Sequence, residues 1–168
     1  MKTVADSPAT RQAIIDACLW MNRAGLNQST SGNISLRTRA GVLITPSGIP
    51  YEDLTPDLMV VIPHDGPLPP DMPVKPSSEW LFHQRVLRER PDMVALIHAH
   101  PPYCSILAVQ RRAIPACHYM VAAFGGTDVP LCPYAMFGTD VLADALADTL
   151  TDRHGCLMAN HGATVLGE

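Results

Sequence analysis

The spacing of apolar residues predicts a helix near the amino terminus. Ser7 and Pro8 are typical of an N-cap and a first helical position, and an amphipathic run continues from them to Gly25. Three short segments follow that are rich in aliphatic or β-branched residues and bounded by Gly, Pro and Asp, as strands are. They cover residues 34–37, 42–45 and 58–62. Together they predict a small, largely antiparallel sheet.

The rest of the chain alternates predicted helices with predicted strands. Residues 63–76 contain too many prolines for a helix or a central strand and are predicted to form a surface loop. A helix should begin at Ser77-Ser78-Glu79, with a serine cap and an early acid, and end before Pro91. The further predictions are a strand at 93–98, a helix at 103–110, a strand at 129–132, a helix at 139–153 and a strand at 156–159. This alternation predicts a layered α/β fold.

Length and composition indicate a single domain, residues 1–168. Such a chain can bury a sizeable core, and 47% hydrophobic with 17% charged residues favours neither disorder nor a solenoid. A net charge of −4 without a Lys/Arg cluster argues against nucleic acid and anionic membranes as partners. No segment is typical of a signal peptide or a membrane span, so a cytoplasmic location is expected. The five scattered cysteines predict reduced, mostly buried thiols.

Three histidines are candidate metal ligands. His98 and His100 flank Ala99 at the end of a predicted strand, where alternation places both imidazoles on one face. Catalytic zinc commonly takes three protein ligands and keeps a position for water or substrate, and His161, just after another predicted strand, is the candidate third. Taken alone, a His-x-His pair is equally typical of histidines that only satisfy hydrogen bonds.

Glu79 is a candidate acid or base beside this metal. It is placed in the first turn of its helix, where the helix dipole favours a carboxylate, and a nearby zinc ion would keep it ionised. The alternative is that Glu79 only caps the helix. His83 lies one turn further on the same side, and we interpret it as a packing or supporting residue rather than a ligand.

Three segments of small residues could bind a phosphate group. They are Ser31-Gly32-Asn33, Thr45-Pro46-Ser47-Gly48 and Ser77-Ser78. Backbone N–H groups, hydroxyls and an Asn amide can hold an anion without a basic patch. Each segment by itself is more often an ordinary turn or cap.

The order of these segments along the chain resembles the class II aldolase/adducin family. The resemblance covers nearly the whole chain and rests on residues 27–35 (NQSTSGNIS), 43–51 (LITPSGIPY), 77–80 (SSEW), 98–100 (HAH) and 160–162 (NHG). Within the family, residues 114–120 (IPACHYM) and 133–139 (PYAMFGT) are most similar to the L-fuculose-1-phosphate aldolases.

The resemblance implies a fold, a cofactor and a set of site residues. The fold is a central sheet flanked by helices, in a homotetramer with active sites at subunit interfaces. Zinc would be held by His98, His100 and His161, with Glu79 either on the metal or released as acid/base. Tyr119 of a neighbouring subunit would protonate the aldehyde oxygen. The implied phosphate-binding residues are Gly32, Asn33, Thr45, Gly48, Ser77 and Ser78, with Ser47 beside them.

The implied reaction is cleavage of a ketose 1-phosphate, L-fuculose 1-phosphate or similar, into dihydroxyacetone phosphate and an aldehyde. The enediolate formed needs a Lewis acid, and the motifs contain no lysine for a Schiff base, which favours the metal route. A sugar-phosphate epimerase, dehydratase or decarboxylase, another divalent metal, and a non-catalytic adducin-like module stay open as alternatives.

Two departures from the family pattern bear on these expectations. The family continues beyond the third histidine into further helices and a tail, so the 168 residues are expected to represent the domain without them. Asn160 stands where close relatives often have another histidine, which affects the assignment of the substrate.

Overall fold

The computed structural model describes all 168 residues and contains four α-helices and seven strands. The helices are Pro8–Arg23 (α1), Trp80–Glu89 (α2), Pro102–Val109 (α3) and Asp140–Thr149 (α4). The strands are Asn33–Arg37 (β1), Val42–Ile44 (β2), Val60–Ile62 (β3), Ala95–Ala99 (β4), Leu131–Cys132 (β5), Gly155–Met158 (β6) and Ala163–Gly167 (β7). Short 3-10 helices cover Tyr51–Asp53, Pro56–Leu58 and Tyr119–Phe124.

The seven strands form one sheet in the order β3-β2-β1-β4-β7-β6-β5. Every neighbouring pair is antiparallel except β5 and β6. The layered α/β fold with a largely antiparallel sheet is therefore confirmed.

Helices cover both faces of the sheet because successive strand residues point to opposite sides. One core cluster packs α2 and α4 against the sheet and includes Val42, Ile44 and Leu96. The other packs α1 against the opposite face and includes Leu43 of the same strand. The fold therefore has three layers, with the sheet in the middle and helices on each side.

Most predicted elements lie within a few residues of their expected bounds. Helix α1 begins as its sequence indicates, with Ser7 Oγ accepting a hydrogen bond of 3.1 Å from the Thr10 N–H. Strand β3 begins two residues later than predicted because Pro56–Leu58 forms a 3-10 turn instead. Helix α4 ends at Thr149, four residues before its predicted end at 153.

Strand β7 is the one strand that was not predicted. It pairs with β4 on one side and β6 on the other, and its second residue, Thr164, is almost fully buried. Its register places Thr164 opposite His98 and Ala163 opposite Ala99. Through β7 the turn that follows β6 is brought to the end of β4.

Two further features concern the state of the cysteines and the length of the helices. All five cysteines are free, three of them are buried, and only Cys117 is exposed. No helix combines the length and apolar character that crossing a bilayer requires.

Candidate metal centre and polar cavity

The three predicted histidines lie together at one end of the sheet. His98 belongs to β4, His100 follows it by two residues, and His161 lies in the turn between β6 and β7. One ring nitrogen from each histidine falls within 4.8 Å of the others. The Nε2 atoms of His98 and His100 are 2.9 Å apart. The long-range pairing of β7 with β4 creates this cluster from residues more than sixty positions apart.

The hydrogen bond of His98 determines which of its nitrogens can bind a cation. Its Nδ1 lies 3.0 Å from the carbonyl oxygen of Ala163, which can only accept, so Nδ1 carries the proton and donates it. The Nε2 lone pair is therefore free to face the other histidines. Burial lowers the pKa of His98 to about 4, and burial also lowers the pKa of His100. Both rings are neutral near pH 7, the state in which imidazole binds metals.

Glu79 faces the same cluster from the start of α2. It occupies the N-cap position rather than the predicted first turn, and its side chain makes no capping hydrogen bond. Its Oε2 accepts a hydrogen bond of 2.9 Å from Asn33 Nδ2 and lies 3.3 Å from His98 Nε2. Its Oε1 lies 3.2 Å from His161 Nε2 but has no partner with hydrogen-bond geometry.

The environment of Glu79 holds it as a carboxylate. Burial alone would raise its pKa, but His161, His98 and Asn33 outweigh that effect and lower the pKa from 4.5 to about 2. Glu79 is thus a buried anion that faces His98 and His161.

These groups fit a divalent cation such as zinc. Tetrahedral zinc with bonds of about 2.0–2.1 Å places neighbouring ligand atoms about 3.3 Å apart. The corresponding distances in this site are similar. The Nε2 atom of His98 lies 2.9 Å from His100 Nε2 and 3.3 Å from Glu79 Oε2, and His161 Nε2 lies 3.2 Å from Glu79 Oε1. A cation would also satisfy the unpartnered Oε1 of Glu79.

Gly162 allows the close approach of the turn to the histidines. A Cβ atom at this position would overlap the His100 ring and lie 2.6 Å from the carbonyl oxygen of Ala99. The sequence motif included Gly162, but only the packing shows why a side chain is excluded there.

We expect Gly162→Ala to weaken zinc binding at least about tenfold, because the added methyl group displaces His100. The measurement is competition for zinc against a chromogenic chelator, together with thermal unfolding. Gly66→Ala is the matched control. A Cβ atom at residue 66 would meet nothing within 4 Å, so Gly66→Ala should leave zinc affinity unchanged. Because φ of Gly66 is +82°, an alanine there should cost about 1–2 kcal/mol of stability. Equal zinc affinity in Gly162→Ala and wild type would contradict the packing argument.

His83 lies beside the histidine cluster and is not one of the three clustered ligands. It is fully buried, with Nδ1 2.7 Å from Ser35 Oγ and Nε2 2.5 Å from Asn33 Oδ1. Burial lowers the pKa of His83 to about 3, so its ring is neutral. Asn33 thereby contacts His83 with its oxygen and Glu79 with its nitrogen.

A polar cavity of about 200 Å³ adjoins the cluster. Glu79 and His161 form part of its wall, which connects the two halves of the site. No lysine or arginine lines it. Six of the predicted phosphate-binding residues do line it: Gly32, Asn33, Ser47, Gly48, Ser77 and Ser78.

Thr45, the seventh predicted phosphate-binding residue, does not line the cavity. Its hydroxyl accepts a hydrogen bond of 3.3 Å from the Ile34 N–H, and its carbonyl oxygen accepts one of 2.9 Å from the Ser77 N–H. Thr45 therefore connects the segments that contain Ile34 and Ser77, although it does not line the cavity. Ser31, from the first of the three predicted segments, also lines the cavity. Thr30 and Phe137 line it without having been singled out, although both fall within the motifs quoted above.

Tyr119 does not line the polar cavity in the single chain. It starts the 3-10 helix Tyr119–Phe124 and is 80% exposed. It lines a different cavity, of about 420 Å³, together with Cys117 and His118.

The chain is similar to known proteins in sequence and in structure. A sequence profile of the Class II Aldolase and Adducin N-terminal domain matches residues 12–168. The L-fuculose phosphate aldolase of Escherichia coli strain K12 is 48% identical over 149 residues, which cover 89% of this chain and 68% of that protein. The 5-methylthioribulose-1-phosphate/5-deoxyribulose-1-phosphate aldolase of Rhodospirillum rubrum is 45% identical over 95% of this chain and 71% of its own length. A solved structure of an L-fuculose 1-phosphate aldolase superimposes with a TM-score of 0.89 at 35% identity, covering 96% of this chain and 76% of that one.

Proposed function

The chain belongs to the class II aldolase and adducin family, and from this premise we propose that it cleaves a ketose 1-phosphate into dihydroxyacetone phosphate and an aldehyde. It is a class II aldolase, a metal-dependent lyase with a three-histidine metal site. The proposed substrate is L-fuculose 1-phosphate or a similar ketose 1-phosphate, and the proposed metal is zinc.

The position of Glu79 carries this proposal. Its carboxylate lies between the three histidines and a polar cavity large enough for a phosphate group. A phosphate in that cavity would bind hydroxyls and backbone N–H groups, since no basic side chain lines it. The reacting carbons of a ketose 1-phosphate would then extend toward Glu79 and the histidines.

In the proposed reaction the C3–C4 bond breaks. The C4 hydroxyl loses its proton and becomes the aldehyde, while the C3–C4 electron pair remains on the ketose fragment as an enediolate. A divalent ion held by His98, His100 and His161 would supply Lewis acidity that favours the negative charge developing on this fragment. Before cleavage Glu79 takes up a proton from solvent, and the proton released from the C4 hydroxyl returns to solvent over the turnover. Glu79 transfers its proton to C3 to complete dihydroxyacetone phosphate, and as a carboxylate it removes that proton in the reverse direction.

Tyr119 is proposed to act from a neighbouring subunit, where it takes the C4 hydroxyl proton and returns it to the aldehyde oxygen in reverse.

The proposed assembly is a homotetramer with sites between subunits. Several large apolar side chains are exposed around Tyr119 and in the later loop: Met120, Tyr134, Met136 and Phe137 are each more than half exposed. Apolar exposure of this kind is typical of subunit contacts. Light scattering after size exclusion should give four times the chain mass.

The test of the proposed reaction is a substrate panel. Zinc-loaded protein is incubated with L-fuculose 1-phosphate, 5-methylthioribulose 1-phosphate and 5-deoxyribulose 1-phosphate, and dihydroxyacetone phosphate is measured by coupled NADH oxidation. Release from at least one of the three supports the proposal, and the ratio of kcat/KM values identifies the preferred aldehyde. Product NMR that instead shows an epimer, or loss of water or of carbon dioxide, would replace it with one of those reactions.

Ser78→Asp tests the phosphate cavity. We expect KM for a ketose 1-phosphate to rise by at least about tenfold, because a carboxylate in a cavity without cations repels the phosphate. Ser78→Asn is the matched control. Asparagine has nearly the same size as aspartate but no charge, so this variant should change KM much less. The initial rate is measured over a range of substrate concentrations. A similar KM in both variants would show that the phosphate lies elsewhere.

A further inference from the structure

Four buried polar side chains form a continuous hydrogen-bonded series that ends at Glu79. Ser35 Oγ lies 2.7 Å from His83 Nδ1, His83 Nε2 lies 2.5 Å from Asn33 Oδ1, and Asn33 Nδ2 lies 2.9 Å from Glu79 Oε2. All four residues are at most 5% exposed. Strand β1 supplies Ser35 and Asn33 from one face, because alternate residues share a side, and α2 supplies His83.

The direction of each hydrogen bond follows from the carboxylate. An ionised Glu79 can only accept, so the NH₂ end of the Asn33 amide must face it. The amide oxygen then faces His83, which must donate from Nε2. A neutral ring has one N–H, so Nδ1 is the acceptor and Ser35 Oγ donates to it. One assignment of protons satisfies the whole series.

The opposite amide orientation is disfavoured at both ends of Asn33. If the amide were reversed, its oxygen would lie 2.9 Å from a carboxylate oxygen, and two acceptors at that separation repel. The reversed NH₂ group would meet the N–H of His83. The ring tautomer and the amide orientation therefore depend on each other.

We propose that His83, held in one tautomer by Ser35, is a positioning residue that fixes the Asn33 amide and through it the carboxylate of Glu79. This inference rests on the proposed role of Glu79 in proton transfer and adds two residues that do not touch the substrate. Ser35 and His83 do not line the polar cavity, and the side-chain amide of Asn33 is engaged by His83 and Glu79, so the loss of either residue should act mainly on Glu79.

Two substitutions of His83 separate positioning from packing. In His83→Gln the side-chain NH₂ reaches about as far as Nε2 and can still donate to Asn33. In His83→Asn the side chain is shorter and reaches only about as far as Nδ1. We expect His83→Asn to lower kcat about 10–100-fold, the range typical when a supporting hydrogen-bond partner is lost. His83→Gln should recover most of that loss, and KM should change less than about twofold in both.

The tautomer itself gives a readout that needs no catalysis. In zinc-loaded protein labelled with ¹⁵N-histidine, long-range ¹H–¹⁵N correlation should show His83 protonated at Nε2 and unprotonated at Nδ1 in the wild type. Ser35→Ala removes the donor to Nδ1 and should allow the other tautomer to appear, with a parallel loss in kcat. Ser35→Ala also removes only one small group, which makes it the variant of choice if substitutions of His83 prevent folding.

The outcomes are distinguishable from those of the proposed function. If the wild type cleaves no ketose 1-phosphate, the proposed reaction fails, while the tautomer of His83 still tests the hydrogen-bond series. A wild-type ring protonated at Nδ1 would overturn the positioning role. The same holds if folded His83→Asn, with zinc bound, keeps the wild-type kcat, or if the loss falls on KM alone.

Discussion

Glu79→Gln is expected to lower kcat for ketose 1-phosphate cleavage by about 10²–10⁴-fold, the usual contribution of one acid or base group. The amide is nearly isosteric with the carboxylate but cannot exchange a proton at C3. The three histidines are unchanged, so zinc should stay bound at close to one ion per chain. The measurements are steady-state kinetics of dihydroxyacetone phosphate release and metal analysis of the same samples.

The control for this variant is Glu89→Gln at the other end of α2. Glu89 is exposed and pairs only with the adjacent Arg88, so the same chemical change should leave kcat unaltered. A separate check is exchange of the C3 proton of dihydroxyacetone phosphate with D₂O, which should also be lost in Glu79→Gln. Rapid exchange in that variant would assign the proton transfer to another group.

His100→Ala is expected to weaken zinc binding by more than about 100-fold, beyond the loss typical for a supporting residue. Activity should fall to the background at low micromolar zinc. His100 is only partly buried, so the fold should tolerate this change better than a change at the fully buried His98. Zinc content after dialysis and calorimetric titration give the two measurements.

Metal-linked stability provides a second readout for His100→Ala. Zinc at 100 times its Kd should stabilise the wild type by about 2.7 kcal/mol, and the variant should gain much less at the same concentration. His64→Gln serves as the control because His64 lies outside the three-histidine cluster. Equal zinc-dependent shifts in the Tm of His100→Ala and wild type would remove His100 from the metal site.

Many elements of the fold could be predicted from local patterns in the sequence. Helix α1 has its cap and its apolar stripe within one stretch, and β4 is a continuous apolar run, so both were predicted close to their observed bounds. Strand β7 also contains a short aliphatic and β-branched run, residues 163–166, but no local pattern indicates its place in the middle of the sheet. Its Thr164 is buried only because β4 and β6 enclose it on both sides, and that enclosure is a property of the assembled sheet.

The site shows the same division between local and long-range information. His98 and His100 were expected to converge from strand alternation, but the approach of His161 depends on β7. The family resemblance implied that Thr45 binds phosphate, and this stays a prediction; in the single chain its hydroxyl and carbonyl oxygen accept hydrogen bonds from Ile34 and Ser77. The orientation of Asn33 between His83 and Glu79 depends on side chains from two elements and could not be derived from either alone.

The place of β7 in the sheet has a consequence for how the protein forms during synthesis. Of the seven strands it leaves the ribosome last, yet it lies between β4 and β6 rather than at an edge. Until it arrives, β4 and β6 each present an unpaired side, and chains with exposed strand sides associate readily. We therefore expect the nascent chain to be prone to wrong strand pairing in the interval before β7 emerges.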